Sequence, residues 1–154
     1  MEVSSSTVIK VSQKQVVAWF DSIGQKPNRY QFATHGGVAV ISGRLDRPGA
    51  IFETREQFFG LTVRLQFQIT QVEPDRFTFQ LIKPLGRGCI LGQFLLKGLG
   101  AQETRLTLRI FAAKPESFLT GVLQILFFAS PLQWAVRRQI RAEVEFIRQA
   151  VEKK

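Results

Sequence analysis

The 154-residue chain has one cysteine, Cys89, and one histidine, His35. A single thiol excludes an intrachain disulfide and a cysteine-built metal cluster, and it agrees with a reducing compartment. Structural zinc needs about four ligands and catalytic zinc about three, and no spacing of His, Cys, Asp and Glu supplies them. A Cys/His or Ser/His nucleophile pair would depend wholly on His35, which reads as a turn residue beside Gly36 and Gly37. Gly86-x-Gly88 and Gly98-x-Gly100 fall at strand ends, so neither has the strand-to-helix setting of a phosphate-binding loop. No metal or cofactor is expected, and no catalytic set is assigned. Acidic residues are also scarce: 12 against 21 lysines and arginines, for a formal net charge of +9 and a pI of about 10.5. Such a surplus favours acidic partners, but it speaks to association rather than to fold.

Long apolar runs are missing as well. The longest, Phe118 to Ala129, is about a dozen residues against the roughly 20 that span a bilayer. It reads first as a core or cavity helix, with a lipid-facing surface segment as the alternative. The opening MEVSSSTVIKV has neither the basic start nor the apolar centre of a signal peptide. The expected location is the cytoplasm, at a membrane periphery if the basic surface is used.

What is present is strand pattern, closed by one long helix. Val3 to Val11 reads as a strand, and Ser12 as the N-cap of a helix over Gln13 to Asp21, broken by Gly24, Pro27 and Asn28. Asn28 to Phe32 suits a second short helical turn, and Thr34 to Gly37 a turn into the strand Val38 to Ser42. Ala50 to Phe59 is the next strand. In Leu61 to Val72 the odd positions Leu61, Val63, Leu65, Phe67 and Ile69 are apolar and the even ones polar, the period of a half-buried antiparallel strand. Glu73-Pro74-Asp75 turns it back through Phe77, Phe79 and Leu81. Cys89 to Lys97 and Thr104 to Ala112 complete the sheet. From Ser130, a good N-cap, Leu132, Val136, Ile140, Val144, Ile147 and Val151 mark one face of a helix running to the C-terminal lysines. Six or seven antiparallel strands, one or two short helices after the first and a long last helix argue for an α+β fold in one domain. A twisted sheet wrapped around that helix would leave room for a ligand between them.

This order resembles the START-like, helix-grip superfamily (SRPBCC), which includes Bet v 1-like pollen allergens and polyketide cyclase/dehydrase-like proteins. The residues that carry the resemblance are Pro48-Gly49, Phe59-Gly60, Ile69-x4-Pro74-x2-Phe77 and Pro131-Leu132. Members often carry a histidine in the strand after a Gly-Pro step. Here Lys83-Pro84-Leu85 leads to Gly88-Cys89-Ile90 without one, so no role follows for it. The resemblance implies a deep, mostly apolar cavity for a lipid, sterol, polyketide or isoprenoid-like molecule.

Within the helix, Glu143 is the departure from pattern. At about 100° per residue it lies roughly 20° from Val136 and roughly 40° from Ile147, inside the apolar stripe. Either it faces the cavity, where burial would raise its pKa and let it orient a ligand or move a proton, or the helix has passed the cavity and Glu143 meets an arginine or water. Val136 and Ile140 share its face. Gln133, Gln93 and His35 are further candidates for a polar contact with ligand. Arg137, Arg141 and Arg148 fall on one flank, either a stripe for an anionic membrane or acidic protein, or a solvated face partly neutralised by Glu145. Nucleic acid is disfavoured, because the phenylalanines follow core periods instead of sitting among the basic residues. The leading function is a carrier or sensor of a small hydrophobic ligand. The alternatives are a cyclase/aromatase-type enzyme on the same scaffold and a peripheral adaptor at an anionic surface.

Overall fold

The computed structural model describes residues 1–31, 35–129 and 131–153, with Asn28 and His35 described in their backbone only. Among these residues seven strands form one antiparallel sheet: β1 (Glu2–Ile9), β2 (His35–Ser42), β3 (Ile51–Phe58), β4 (Leu61–Glu73), β5 (Arg76–Lys83), β6 (Ile90–Gly100) and β7 (Glu103–Ala112). Their spatial order is β1-β7-β6-β5-β4-β3-β2, so β2 to β7 follow one another as hairpins and β1 returns to pair with β7. Among the described residues three α-helices accompany the sheet: α1 (Gln13–Gln25), α2 (Phe118–Phe128) and α3 (Leu132–Glu152). A 3-10 turn over Pro27–Arg29 follows α1. The α+β, helix-grip expectation holds.

Local chemistry sets the element ends. The Ser12 side chain accepts from the Gln15 backbone N–H while the Gln15 side chain reaches back to the Ser12 N–H, a capping box that starts α1. The helix then runs through Gly24 to Gln25 and does not break at Asp21. Pro27 stops it; Gly24 lies within the helix beside Leu45 and Asp46, where a Cβ would make only ordinary van der Waals contact, 3.6 Å from the Asp46 backbone nitrogen. The expected turn at Asn28 is the 3-10 turn, while Phe32 and Thr34 lie outside the described residues. His35 to Gly37 belong to β2. The strand expected to end at Lys97 continues to Gly100. Ser130, the expected cap of the last helix, lies outside the described residues; α3 begins after Pro131, which already has helical backbone angles.

The core forms where α3 lies against the sheet. Val136, Ile140, Val144, Ile147 and Val151 are buried against Val3, Ile9, Leu106 and Leu108 from β1 and β7. Alternation in β4 holds over Leu65 to Ile69, but Leu61 is exposed because the strand's first residues run past the core. A register shift between Ile69 and Gln71 then ends the alternation. Leu45, Ala50 and Ile69 make a smaller cluster beneath the Pro48-Gly49 turn, where the Gly49 N–H donates to the Ile69 carbonyl at 2.7 Å. Gly49 has φ of 92°, a conformation glycine adopts without penalty.

The apolar run before α3 packs less completely than a core helix. Gln124 and Phe128 are buried, whereas Phe118 is 90% exposed and Leu119, Ile125 and Leu126 are exposed as well. Gln124 anchors the helix: its Nε2 donates to the carbonyls of Cys89 at 2.7 Å and Ala113 at 2.8 Å. Among the described residues no single helix is long and apolar enough to cross a membrane.

Candidate functional site: a cavity between sheet and last helix

Between the sheet and α3 lies a cavity of about 150 Å³ with mostly apolar walls. Strand alternation builds its floor. Even positions of β3, namely Phe52, Thr54, Glu56 and Phe58, all point into it. Leu65 and Phe67 of β4, Phe77, Phe79 and Leu81 of β5, and Ile90, Gly92 and Phe94 of β6 continue the surface. From α3 come Val136, Gln139, Ile140 and Glu143, spaced as one helix face. Phe20 and Ile23 of α1, Tyr30 from the connection after it, and Phe127 of α2 complete the lining.

Gly92 is required by the packing of that floor. It pairs with Phe79 across β5–β6, and a Cβ on Gly92 would fall 2.1 Å from the Phe79 ring. The missing side chain gives the ring its place in the wall. Phe79 in turn meets Phe67 edge-on at 5.4 Å and Phe94 at 5.9 Å between ring centroids.

A polar cluster interrupts these apolar walls. The Tyr30 hydroxyl donates to Glu143 Oε1, joining the connection after α1 to the last helix. Gln139 Nε2 donates to Glu56 Oε2 at 2.6 Å, joining α3 to β3. Burial raises Glu143 to a pKa of about 7, opposed by the Tyr30 hydrogen bond. Burial raises Glu56 to about 8, aided by the Glu143 charge and opposed by the Thr54 hydroxyl. Tyr30 is pushed well above its ordinary range by burial and then by the Glu143 charge, so it stays a donor. Thr54 is 4% exposed, and its Oγ1 finds no partner of hydrogen-bonding geometry among the described residues. Two carboxyl groups that titrate near neutrality can each accept or donate a hydrogen bond, hold a proton or pass it on.

Of the residues singled out from sequence, the structure brings Glu143, Val136 and Ile140 together in the cavity. It does not bring Gln93 there. Ile90, Gly92 and Phe94 face inward, so Gln93 lies on the opposite side of β6, where its Nε2 donates to Thr78 and its Oε1 accepts from Arg109. Gln133 lies one turn before Val136 and is outside the cavity lining. His35 pairs with Glu56 in the β2–β3 register, but its side chain is outside the described residues. Arg137 and Arg141 are exposed, and Arg148 pairs within its own helix with Glu145 and, at 3.6 Å, with Glu152. Nearby, Arg138 lies over the exposed Trp134 ring at 5.8 Å.

Sequence reasoning missed Tyr30, Glu56, Thr54 and Gln139. A signal existed for two of them: Phe52 and Phe58 fix the phase of β3, and that phase places Thr54 and Glu56 on the same inward face. Gln139 is one position before Ile140 on the apolar stripe. Tyr30 gave no periodic signal, since it follows a short turn.

No protein-family model and no curated protein sequence matches the chain. Solved structures do match in fold. TTHA0849 from Thermus thermophilus superposes with a TM-score of 0.69 at 16% identity, covering 98% of this chain and 97% of that one. The Zhui aromatase/cyclase from Streptomyces sp. R1128 gives 0.70 at 14% identity, covering 99% and 94%. Norcoclaurine synthase from Thalictrum flavum gives 0.65 at 11%, covering 99% and 94%. At these identities the likeness speaks to architecture, and the architecture agrees with the one implied by the resemblance carried by Pro48-Gly49 and Phe59-Gly60: this chain has the Bet v 1-like helix-grip fold.

Proposed function

We propose that the protein binds a small hydrophobic ligand between the sheet and α3, as a carrier or sensor. The observation that carries this reading is the cavity itself: aromatic and aliphatic walls interrupted by Glu143, Glu56, Gln139 and Tyr30. Apolar burial would supply the driving force at roughly 25 cal/mol per Å², and the few polar groups would set orientation. The volume narrows the ligand. A cavity near 150 Å³ takes about one benzene-sized ring, so a ring with a short tail fits better than a sterol. Native mass spectrometry of protein purified from its own host should show a bound small apolar mass. Protein that carries none, and whose melting temperature is unmoved by a panel of single-ring hydrophobes, would sink the reading.

A second reading, attachment to an anionic membrane, is favoured by the outward face of α2. Phe118, Leu119, Ile125 and Leu126 are exposed there, and no acidic residue occurs between Glu116 and Glu143, a span that includes Arg137, Arg138 and Arg141. Sedimentation with vesicles containing phosphatidylserine should be salt-sensitive and should weaken in a Phe118→Ser/Leu119→Ser variant. Equal binding to neutral vesicles would remove the electrostatic part of this reading.

A further inference from the structure

We infer that the cavity is built for a ligand carrying a protonated amine, with the ammonium seated on Glu143 and a single ring or short apolar chain against the phenylalanine floor. The inference rests on the proposal that the cavity binds a ligand, and it names that ligand's chemical class. Three observations carry it. First, Glu143 lines an apolar cavity and receives one donor, Tyr30, among the described residues, so its carboxylate retains acceptor capacity on the cavity side. Second, no lysine or arginine lines the cavity among the described residues, and Glu143 has no ion pair there. Third, the Thr54 hydroxyl, also on the cavity wall, is buried; it is near enough to Glu56 to lower that carboxyl's pKa, but it makes no hydrogen bond of full geometry among the described residues. A carboxylate in the cavity wall and a hydroxyl oxygen beside it both accept, even where the hydroxyl's proton turns to Glu56, and an ammonium brings up to three donors on one atom.

The charge balance points the same way. An ionised carboxylate in apolar surroundings is costly until a cation joins it. Glu143 therefore holds its proton up to about pH 7, through burial. A bound ammonium would favour the ionised form, so binding the amine expels a proton wherever Glu143 was protonated. Other groups share this environment. Tyr30 donates to Glu143 from the connection after α1, and Gln139 stands on its own helix. Glu56 on β3 titrates near 8 and senses the Glu143 charge. His35 on β2 occupies the register position opposite Glu56. A neutral alcohol of the same shape can hydrogen-bond these oxygens but cannot compensate the charge.

The test compares three probes of one shape by isothermal titration calorimetry: 2-phenylethylamine, 2-phenylethanol and ethylbenzene. At pH 8 the amine should bind about tenfold or more tighter than the alcohol, the scale of a hydrogen bond to a charged group. That preference should grow from pH 6 to pH 8.5 as Glu143 ionises, since the amine stays protonated to about pH 10. Glu143→Gln should abolish the preference, with circular dichroism checking that the variant is folded. If the variant does not fold, the pH dependence of the amine-to-alcohol ratio in the unaltered protein decides. An alcohol that binds as tightly as the amine overturns the inference, and so does a ratio flat from pH 6 to 8.5 or a preference that survives Glu143→Gln. Ethylbenzene and alcohol binding without the amine overturns the inference alone. Binding of none of the three overturns the ligand-binding proposal with it.

Discussion

The two faces of α3 carry acids in opposite circumstances. On the inner face Glu143 sits in the cavity wall, bonded to one tyrosine, and its pKa is raised to about 7. On the outer face Glu145 meets Arg148 and Gln149, and its pKa is lowered by those hydrogen bonds. Only two positions separate them. The residue type is the same, so the difference is wholly environmental: water and a guanidinium on one side, phenyl rings and a tyrosine on the other. The outer carboxylate is held ionised by its neighbours, whereas the inner one keeps its proton to about pH 7.

The largest expected effect that tests this contrast is on stability against pH. Glu143 and Glu56 bind protons in the folded state at pH values where the unfolded chain, with ordinary carboxyl groups near 4.5, has released them. Their contribution is therefore full below about pH 4.5 and is lost as pH rises through 7 and 8. Unfolding free energy should fall across that window by on the order of a few kcal/mol. Urea titrations at pH 5 and pH 8.5 would measure it. A Glu56→Gln/Glu143→Gln double variant should flatten the slope, whereas Glu145→Gln should leave it in place. An unchanged slope in the double variant would mean that the inner acids are not buried as described.

A smaller effect belongs to the cavity floor. Gly92→Ala places a methyl group where the Phe79 ring lies, so the ring must move, at about 1–3 kcal/mol as in other overpacked sites. Single-ring probes should bind more weakly to this variant. Gly100 lies on the same strand past the core, and a methyl group added there would meet nothing within 4 Å, so Gly100→Ala should change chemical denaturation midpoints little. Equal effects at the two glycines would contradict the assignment of Gly92 to the wall. The smallest effect is outside: Arg148→Ala should cost about 0–1 kcal/mol, because its ion pairs are solvent-exposed.

How much of this was legible depended on whether one periodic phase dominated. In α3 the apolar stripe is unambiguous, so Glu143 stood out against Val136 and Ile147. In β3 the phase is equally clear once Phe52 and Phe58 are taken as anchors, yet Glu56 and Thr54 between them make the inward face look polar. In β6 the sequence offers two phases, because Leu91 and Leu95 are apolar on one and Ile90 and Phe94 on the other. The structure assigns Gln93 to the phase that faces away from the cavity and bonds it to Thr78 and Arg109. Gln124 illustrates another blind spot. One amide in an apolar run reads as a flaw, but it holds two backbone carbonyls that would otherwise lack that donor. Removing it would take a donor from both carbonyls, although the Cys89 carbonyl would keep the Ala113 N–H at 3.4 Å, a loss of about 0.5–1.5 kcal/mol per hydrogen bond that periodicity cannot reveal.

The bond from Tyr30 to Glu143 spans 113 positions of sequence and fastens an early connecting segment to the final helix. An arriving guest that draws on the Glu143 oxygens bids against the tyrosine for the same acceptor. Occupancy would then bear on the segment carrying Tyr30, which packs beside Trp19 and Phe146. One hydrogen bond would thereby couple the cavity to the connection between α1 and β2.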